Sequence, residues 1–299
     1  MTDHRIPEPF HAGERRAQQM AGGGPAGAPI RTQMPEQHRL FFPLLPFVCV
    51  GVLDETGWPI ATLLHGEPGF VSSPDPGQLH IACLPGPGDP AHPCLRRGAD
   101  IGILGIELAT RRRNRMNGTV AHTTDQGVLV NVNQSFGNCP KYIHVRQLAR
   151  VDRQEGQVET FGTNLPAAAV SLIKACDTMF VATSSGTSVE RPMQGPDISH
   201  RGGDAGFLRL NGSLLTVPDY AGNRFFNTLG NMLLEPRASL VMVDFGTGDI
   251  LQLQGIAEVA WQPHESLDDV RAQRAWTFNI VRGWLRRAAF PLQESAMAS

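Results

Sequence analysis

Two stretches in the last third of the chain hold the side chains best suited to gripping a ligand. The first runs Asp197-Ile198-Ser199-His200-Arg201-Gly202-Gly203-Asp204-Ala205-Gly206-Phe207. It reads as a glycine-dense loop whose backbone amides can approach a ligand, with His200 and Arg201 placed to donate to anionic or carbonyl oxygens. The second, Leu215 to Asn231, reads as a strand ending near Pro218-Asp219, a turn at Gly222-Asn223 and a helix over about Arg224 to Leu234. Free N–H groups and the positive dipole end of that helix, with the Arg224 guanidinium beside them, form a phosphate cradle. The same residues also suit an Asn-capped helix with a solvated arginine, and composition alone favours that plainer reading.

Other chemistry finds less support. His80, His92, His122 and His144 have no metal-ligand spacing, and neither His-Glu-x-x-His nor Gly-x-Ser-x-Gly occurs, so no metal site is expected and hydrolysis is disfavoured. Cys139, before Pro140, reads as a buried structural thiol rather than a reactive one. In Arg111-Arg112-Arg113-Asn114-Arg115, strand alternation puts three arginines on one face. A solvated sheet face is favoured there over a phosphate or nucleic-acid patch, since no aromatic run accompanies it.

The elements that must position these groups are mostly strands. The chain has 299 residues, enough for two domains, with 41% hydrophobic and 18% charged positions, which excludes a mainly disordered chain. Its 32 glycines and 23 prolines predict many turns between short strands. Strands are expected over 47–53, 58–64, 78–84, 101–108, 116–122 and 127–132, and again over 178–183, 206–210, 214–218, 238–245 and 250–260. Short helices are expected at 10–20 and 138–147. An amphipathic terminal helix is expected after Ser266, capped by that serine, with Asp268 and Asp269 in its first turn and Arg282, Arg286 and Arg287 in its last. Strands at this spacing indicate a mainly β barrel or sandwich.

The two halves superpose at a shift of 137: Gly66 falls on Gly203, Glu67 on Asp204, Gly69 on Gly206, Phe70 on Phe207, Thr110 on Thr247 and Gly118 on Gly255. Strand, turn and helix candidates keep their order at that shift, which points to an internal duplication. The expected organisation is an N-terminal helix and flexible connector over 1–34, a first domain over 35–165 and a second over 166–299. At the same shift His200-Arg201 becomes Leu63-Leu64 and Asn223-Arg224 becomes Gly86-Pro87. One ligand site per chain, on the second half, is therefore expected.

Three segments of the second half carry a family resemblance: Ser199 to Gly203, Pro218 to Asn231, and Asp249-Ile250-Leu251-Gln252-Leu253. In the first half Phe10-His11-Ala12-Gly13-Glu14 and Gln134-Ser135-Phe136-Gly137-Asn138-Cys139-Pro140-Lys141-Tyr142-Ile143 add to it. Together they resemble the pyridoxamine 5′-phosphate oxidase-related flavin-binding proteins, over about residues 10 to 260. The resemblance implies FMN-binding split β-barrels, here two in tandem forming an internal pseudo-dimer, followed by the terminal helix. It implies that Asn223 and Arg224 hold the FMN phosphate, with Lys141 as a second partner. By the same resemblance His200, Arg201, Gly202, Pro218 and Asp219 lie along the ring and ribityl chain, and Gln134 and Ser135 reach across from the first barrel. One departure is that Arg224 is followed by Phe225, where the family's oxidases carry a basic pair, so the vitamin B6 substrate does not carry over.

The expected function is that of an FMN-dependent oxidoreductase acting on a small molecule, with NADH or NADPH as candidate electron donors. A flavin carrier without turnover, and haem binding, are the alternatives. With 26 basic against 28 acidic residues the net charge is −2, which does not call for nucleic acid. Five cysteines without a Cys-x-x-Cys pair suit a reducing, cytoplasmic setting. No secretory leader is expected from the first residues, and the apolar run Leu44–Leu53, broken by Pro46 and Gly51, is too short to span a bilayer. The terminal helix, with Trp276 and Trp284, offers a surface for a homodimer.

Overall fold

The computed structural model describes residues 4–25, 28–262 and 269–295. Two helices, α1 (Ala12–Met20) and α2 (Glu36–Phe41), precede seven strands: β1 (Phe47–Leu53), β2 (Pro59–His65), β3 (Val71–Ser72), β4 (Gln78–Ile81), β5 (Asp100–Glu107), β6 (Arg112–Thr124) and β7 (Gly127–Gly137). They form one antiparallel sheet in the order β2-β1-β5-β6-β7-β4-β3. Next come β8 (Leu148–Arg150), β9 (Val158–Phe161) and α3 (Ala167–Ala175). The second set is β10 (Thr178–Ser184), β11 (Pro196–Gly202), β12 (Arg209–Asn211), β13 (Leu214–Tyr220), α4 (Asn227–Leu234), β14 (Arg237–Val243), β15 (Ile250–Ala260) and β16 (Ala272–Arg286), followed by β17 (Leu292–Glu294). Its sheet runs β11-β10-β14-β15-β16-β13-β12, with β9 added to β16, while β8 pairs with β17.

The two strand orders are the same once each half is counted from its own first strand. The matched residues occupy matched places. Gly118 and Gly255 each sit at a register shift, where a Cβ would meet the carbonyl oxygen of Asn131 at 2.2 Å or of Asn279 at 2.4 Å. Phe70 N–H donates to Glu67 O, and Phe207 N–H to Asp204 O, closing the same turn in both halves.

Alternation explains how three cores arise from strands that read as continuous apolar runs. Along β1, Val48, Val50 and Val52 point into the first barrel, while Phe47 and Cys49 point away. Along β10, Met179 and Val181 fill the second barrel, and Phe180 and Ala182 point away. The outward set joins Leu63, Leu104, Ile198, Val241 and Phe290 in a third core between the barrels. All seven strands of the first sheet feed a single interior, so the sheet is curled into a split barrel, and the second is curled around its own interior, fed by its strands other than β11. The fold is mainly β, with two split barrels in tandem.

Three expectations fail. The terminal helix is strand β16, in which Trp276, Phe278 and Ile280 alternate into the core. Arg282 and Arg286 lie on that strand, and Trp276 is buried in it rather than presented on a helix. Of the proposed capping residues, Ser266 and Asp268 lie outside the described residues, and Asp269 accepts from Arg271 and Tyr220. Residues 138–147 form no helix. Pro140 disfavours helical backbone at Cys139, and this stretch is tied down by Arg113 Nε to Cys139 O, Tyr142 OH to Ala221 O and His144 Nε2 to Gly203 O. The glycine-dense loop is strand β11 up to Gly202, paired with β10 along its length. No helix among the described residues is long and apolar enough to cross a membrane.

Candidate functional site

A cavity of about 500 Å3 opens where β11, the end of β13 and the start of α4 meet β6 and residues 138–142 of the first half. Each wall has a local reason. β13 ends at a bulge between Asp219 and Tyr220, after which the chain turns through Gly222-Asn223. There Asn223 Oδ1 accepts from Phe225 N–H at 3.1 Å, an Asx turn that starts the helix late, at Asn227 rather than Arg224. Arg224 and Phe226 both take left-handed backbone, with φ of 64° and 61°. This folds the connection tightly and turns the first residues of α4, Asn227, Thr228 and Leu229, toward the cavity.

Six cationic side chains line this space among the described residues: Arg113, Arg115, Lys141, Arg201, Arg224 and Arg274. Asp219 is the one acidic residue in the lining, and it accepts from Arg274 Nε at 2.8 Å with Arg201 Nη2 3.9 Å away. Arg115, 3% exposed, donates to Asp197 at 2.7 Å, to Ser199 Oγ at 2.7 Å and to Asn227 Oδ1 at 3.1 Å. Among the described residues the Arg113 guanidinium donates only to the Cys139 carbonyl, at 2.5 Å. Burial, then the positive charges of Arg115 and Arg201, bring the Arg113 pKa down to about 10. His200 is held neutral, well below the usual imidazole range, first by burial and then by Arg113 and Arg201.

Four buried nitrogens in this lining have no hydrogen-bond partner: Arg115 Nε, Arg201 Nε, His200 Nε2 and Asn138 Nδ2. Buried polar atoms are rarely left unpaired, because each costs about 1–3 kcal/mol. They belong to residues that line one cavity, a set of donors suited to a polar ligand.

Of the residues expected at the site, His200, Arg201, Gly202, Asp219, Asn223, Arg224 and Lys141 line the cavity. Gly202 is there for space, since a Cβ would meet the Tyr142 carbonyl at 2.0 Å. Pro218, Gln134 and Ser135 do not line it. Pro218 is a buried ladder position opposite Ala275. Gln134 accepts from Asn117, and Ser135 Oγ lies 2.8 Å from His38 Nδ1. Both are spent inside the first half.

The α1–α4 crossing supports the site from behind. His11 caps α1 through a capping box with Glu14. Glycines at the crossing let α1 press onto α4: a Cβ on Gly13 would meet Gly230 O at 2.2 Å, and one on Gly230 would meet Glu14 N at 2.6 Å. Glu14 accepts from Asn227 Nδ2, and His11 Nε2 lies 2.9 Å from Asn231 Oδ1. Burial raises the Glu14 pKa to about 8 and lowers that of His11 to about 4.

The corresponding place in the first half is filled. Leu63 and Ile250 stand 137 positions from His200 and Arg113, and both pack with Phe290 in the core between the barrels. The Phe290 ring is 5.5 Å from Phe47 and 6.1 Å from His65, the counterpart of Gly202. Beside it Asp89, 2% exposed, accepts from Arg286 at 2.6 Å, from Gln252 at 3.0 Å and from Thr62. Gln252 and Thr62 are the counterparts of Arg115 and Ser199.

No family model and no curated protein matches the chain. Among solved structures it is similar to HupZ of Group A Streptococcus (14% identity over 40% of this chain and 91% of that one, TM-score 0.32). It is also similar to a FAD-binding protein of Mesorhizobium loti (14%, 44% and 98%, 0.29) and to a candidate pyridoxamine 5′-phosphate oxidase of Lactobacillus delbrueckii (16%, 40% and 93%, 0.32).

Sequence reasoning missed Arg113, Arg115 and Arg274. The first two lay in the arginine cluster assigned to a solvated face, yet Arg115 is buried and Arg113 half-buried. Their signal was a dense run of charge on a strand whose partner residues, Asp197 and Ser199, sit more than 80 positions away. Arg274 fell inside the expected terminal helix, where nothing in the local sequence marked it as a site residue. Instead its guanidinium stacks 4.9 Å from the Phe226 ring and 5.9 Å from that of Trp261.

Proposed function

We propose that the chain binds one FMN in the second-half cavity and uses it as an oxidoreductase. The observation that carries this reading is the cluster of unpartnered nitrogens in a pocket lined by six cationic side chains, in a protein whose net charge is −2. These groups fit an elongated ligand with an anionic monoester at one end and ring carbonyls and nitrogens at the other. The start of α4, with Asn223 and Arg224, suits the phosphate, since helix N-terminal N–H groups and a guanidinium favour bound oxyanions. Lys141 adds a second charge at that rim. His200, Arg201, Arg113 and Asn138 suit the polar edge of the ring, and Gly202 leaves room along β11. FMN supplies the redox chemistry when bound, and the protein supplies orientation and charge.

The matched order of the two sheets supports an internal duplication. The filled position around Phe290 and Asp89 supports one site per chain. A cytoplasmic setting, NADH or NADPH as electron donor and a small-molecule substrate belong to this proposal. The carrier reading draws on one feature of the lining: His200, the residue best placed for proton transfer, is held neutral by its surroundings. Mixing FMN-loaded protein with NADH or NADPH in stopped flow separates the two. Bleaching of the flavin bands marks an oxidoreductase, and an unbleached bound flavin marks a carrier. A Soret band in place of flavin absorbance would favour haem.

A further inference from the structure

We infer that the inner end of the cavity is built for a second negative charge, beyond a phosphate, and that the ring of reduced FMN supplies it. This rests on the FMN reading above and adds which redox state the site prefers. The charges make the case. Six cations line the space, and two carboxylates, Asp197 and Asp219, face them. Glu14, next in the network behind Asn227, is largely uncharged at neutral pH because burial holds its pKa at about 8. Four positive charges remain, and a phosphate dianion neutralises two. Two are left over.

The surplus is concentrated at the inner end. Arg115 is matched by Asp197 at 2.7 Å, and Arg274 by Asp219 at 2.8 Å. Among the described residues Arg113 has no carboxylate partner, and Arg201 has only Asp219, whose Oδ1 is 3.9 Å away while its Oδ2 pairs with Arg274. Both lie beside His200, which burial and these two guanidiniums keep uncharged. Clustered cations in a partly desolvated pocket repel one another strongly. They are relieved by an anion rather than by a neutral ring. Two electrons and one proton convert the oxidised ring into its monoanionic reduced form, which carries one additional negative charge. That form meets the unmatched guanidiniums, so the chain holds reduced FMN more tightly than oxidised FMN.

The test uses the full-length chain freed of flavin. Oxidised FMN is titrated by quenching of its fluorescence, and the bound couple is titrated anaerobically with dithionite against a reference dye. The ratio of the two dissociation constants follows from the midpoint potential relative to free FMN. Reduced FMN should bind at least tenfold more tightly, a rise of about 30 mV for a two-electron couple. Arg113→Gln should bring the ratio to within about twofold of one, and Arg113→Lys should keep it near the wild-type value. Equal binding of both states, or an unchanged ratio in Arg113→Gln, overturns the inference and assigns the surplus charge to a separate anionic substrate. Failure of either state to bind removes the FMN reading itself.

Discussion

At the scale of single residues the site is a compromise between folding and binding. Arg115 is embedded in a network of Asp197, Ser199 and Asn227, so its removal leaves the buried Asp197 carboxylate without its ion-pair partner. Breaking a buried pair in this way costs about 3–5 kcal/mol. Arg115→Ala should therefore lower the denaturant midpoint as well as ligand affinity. Arg224 is different: it is exposed and, among the described residues, held only by the Ala21 carbonyl at 3.0 Å. Arg224→Ala should weaken FMN binding by about tenfold or more, as expected for one charge-assisted contact of ~1.5–3 kcal/mol, while the unfolding midpoint stays within experimental error.

Glu14 makes a prediction in pH. Its carboxyl has a pKa near 4.5 when the chain is unfolded and about 8 when folded. The folded state thus binds the extra proton between those values, and stability falls as pH rises through that window, by up to about 1.4 kcal/mol per pH unit. Glu14→Gln cannot lose a proton. The stability of wild type relative to Glu14→Gln should decline steadily from pH 5 to pH 8 in urea titrations. A constant difference would contradict the raised pKa.

At the scale of elements, close packing decides what positions the cavity. Helix α1 reaches the back of the site only because Gly13 and Gly230 let two backbones touch. Gly230→Ala should push α1 away and cost about 1–3 kcal/mol, the usual range for overpacking, with a matching loss of FMN affinity because Asn227 loses its Glu14 support. Helix α1 and strands β1 and β10 could be seen in the sequence, the strands because dense apolar runs leave a local trace. So could the shift of 137 between the two sets of strands, because the matched glycines sit at turns and bulges that tolerate little else. Strand β11 could not. Its Asp197, Ser199 and His200 are polar yet buried, the first two satisfied by Arg115 from across the barrel interface, and polarity on a strand normally signals solvent. Strand β16 was misread for another reason. Its apolar residues fit spacings of two and of three to four, and the enrichment in Trp, Thr, Phe, Ile and Val should have settled the choice. Arg113 and Arg274 stayed hidden because the contacts that define them come from segments remote in the chain.

At the scale of the whole molecule, the two barrels are alike in topology and unlike in use. One half keeps a charged cavity, and its counterpart is closed by Phe290 and by the buried cluster of Asp89, Gln252 and Arg286. Phe290→Ala should cost about 3–5 kcal/mol of stability, the usual price of emptying a core aromatic position. It should not create a second flavin site, because Leu63 and Ile250 supply no polar partners there. The measurement closest to the central claim is a titration of the flavin-free protein with FMN, followed by fluorescence and calorimetry. One equivalent bound per chain, lost or strongly weakened in Arg224→Ala and retained in Phe290→Ala, is the predicted result. No binding, or two equivalents per chain, would contradict the account.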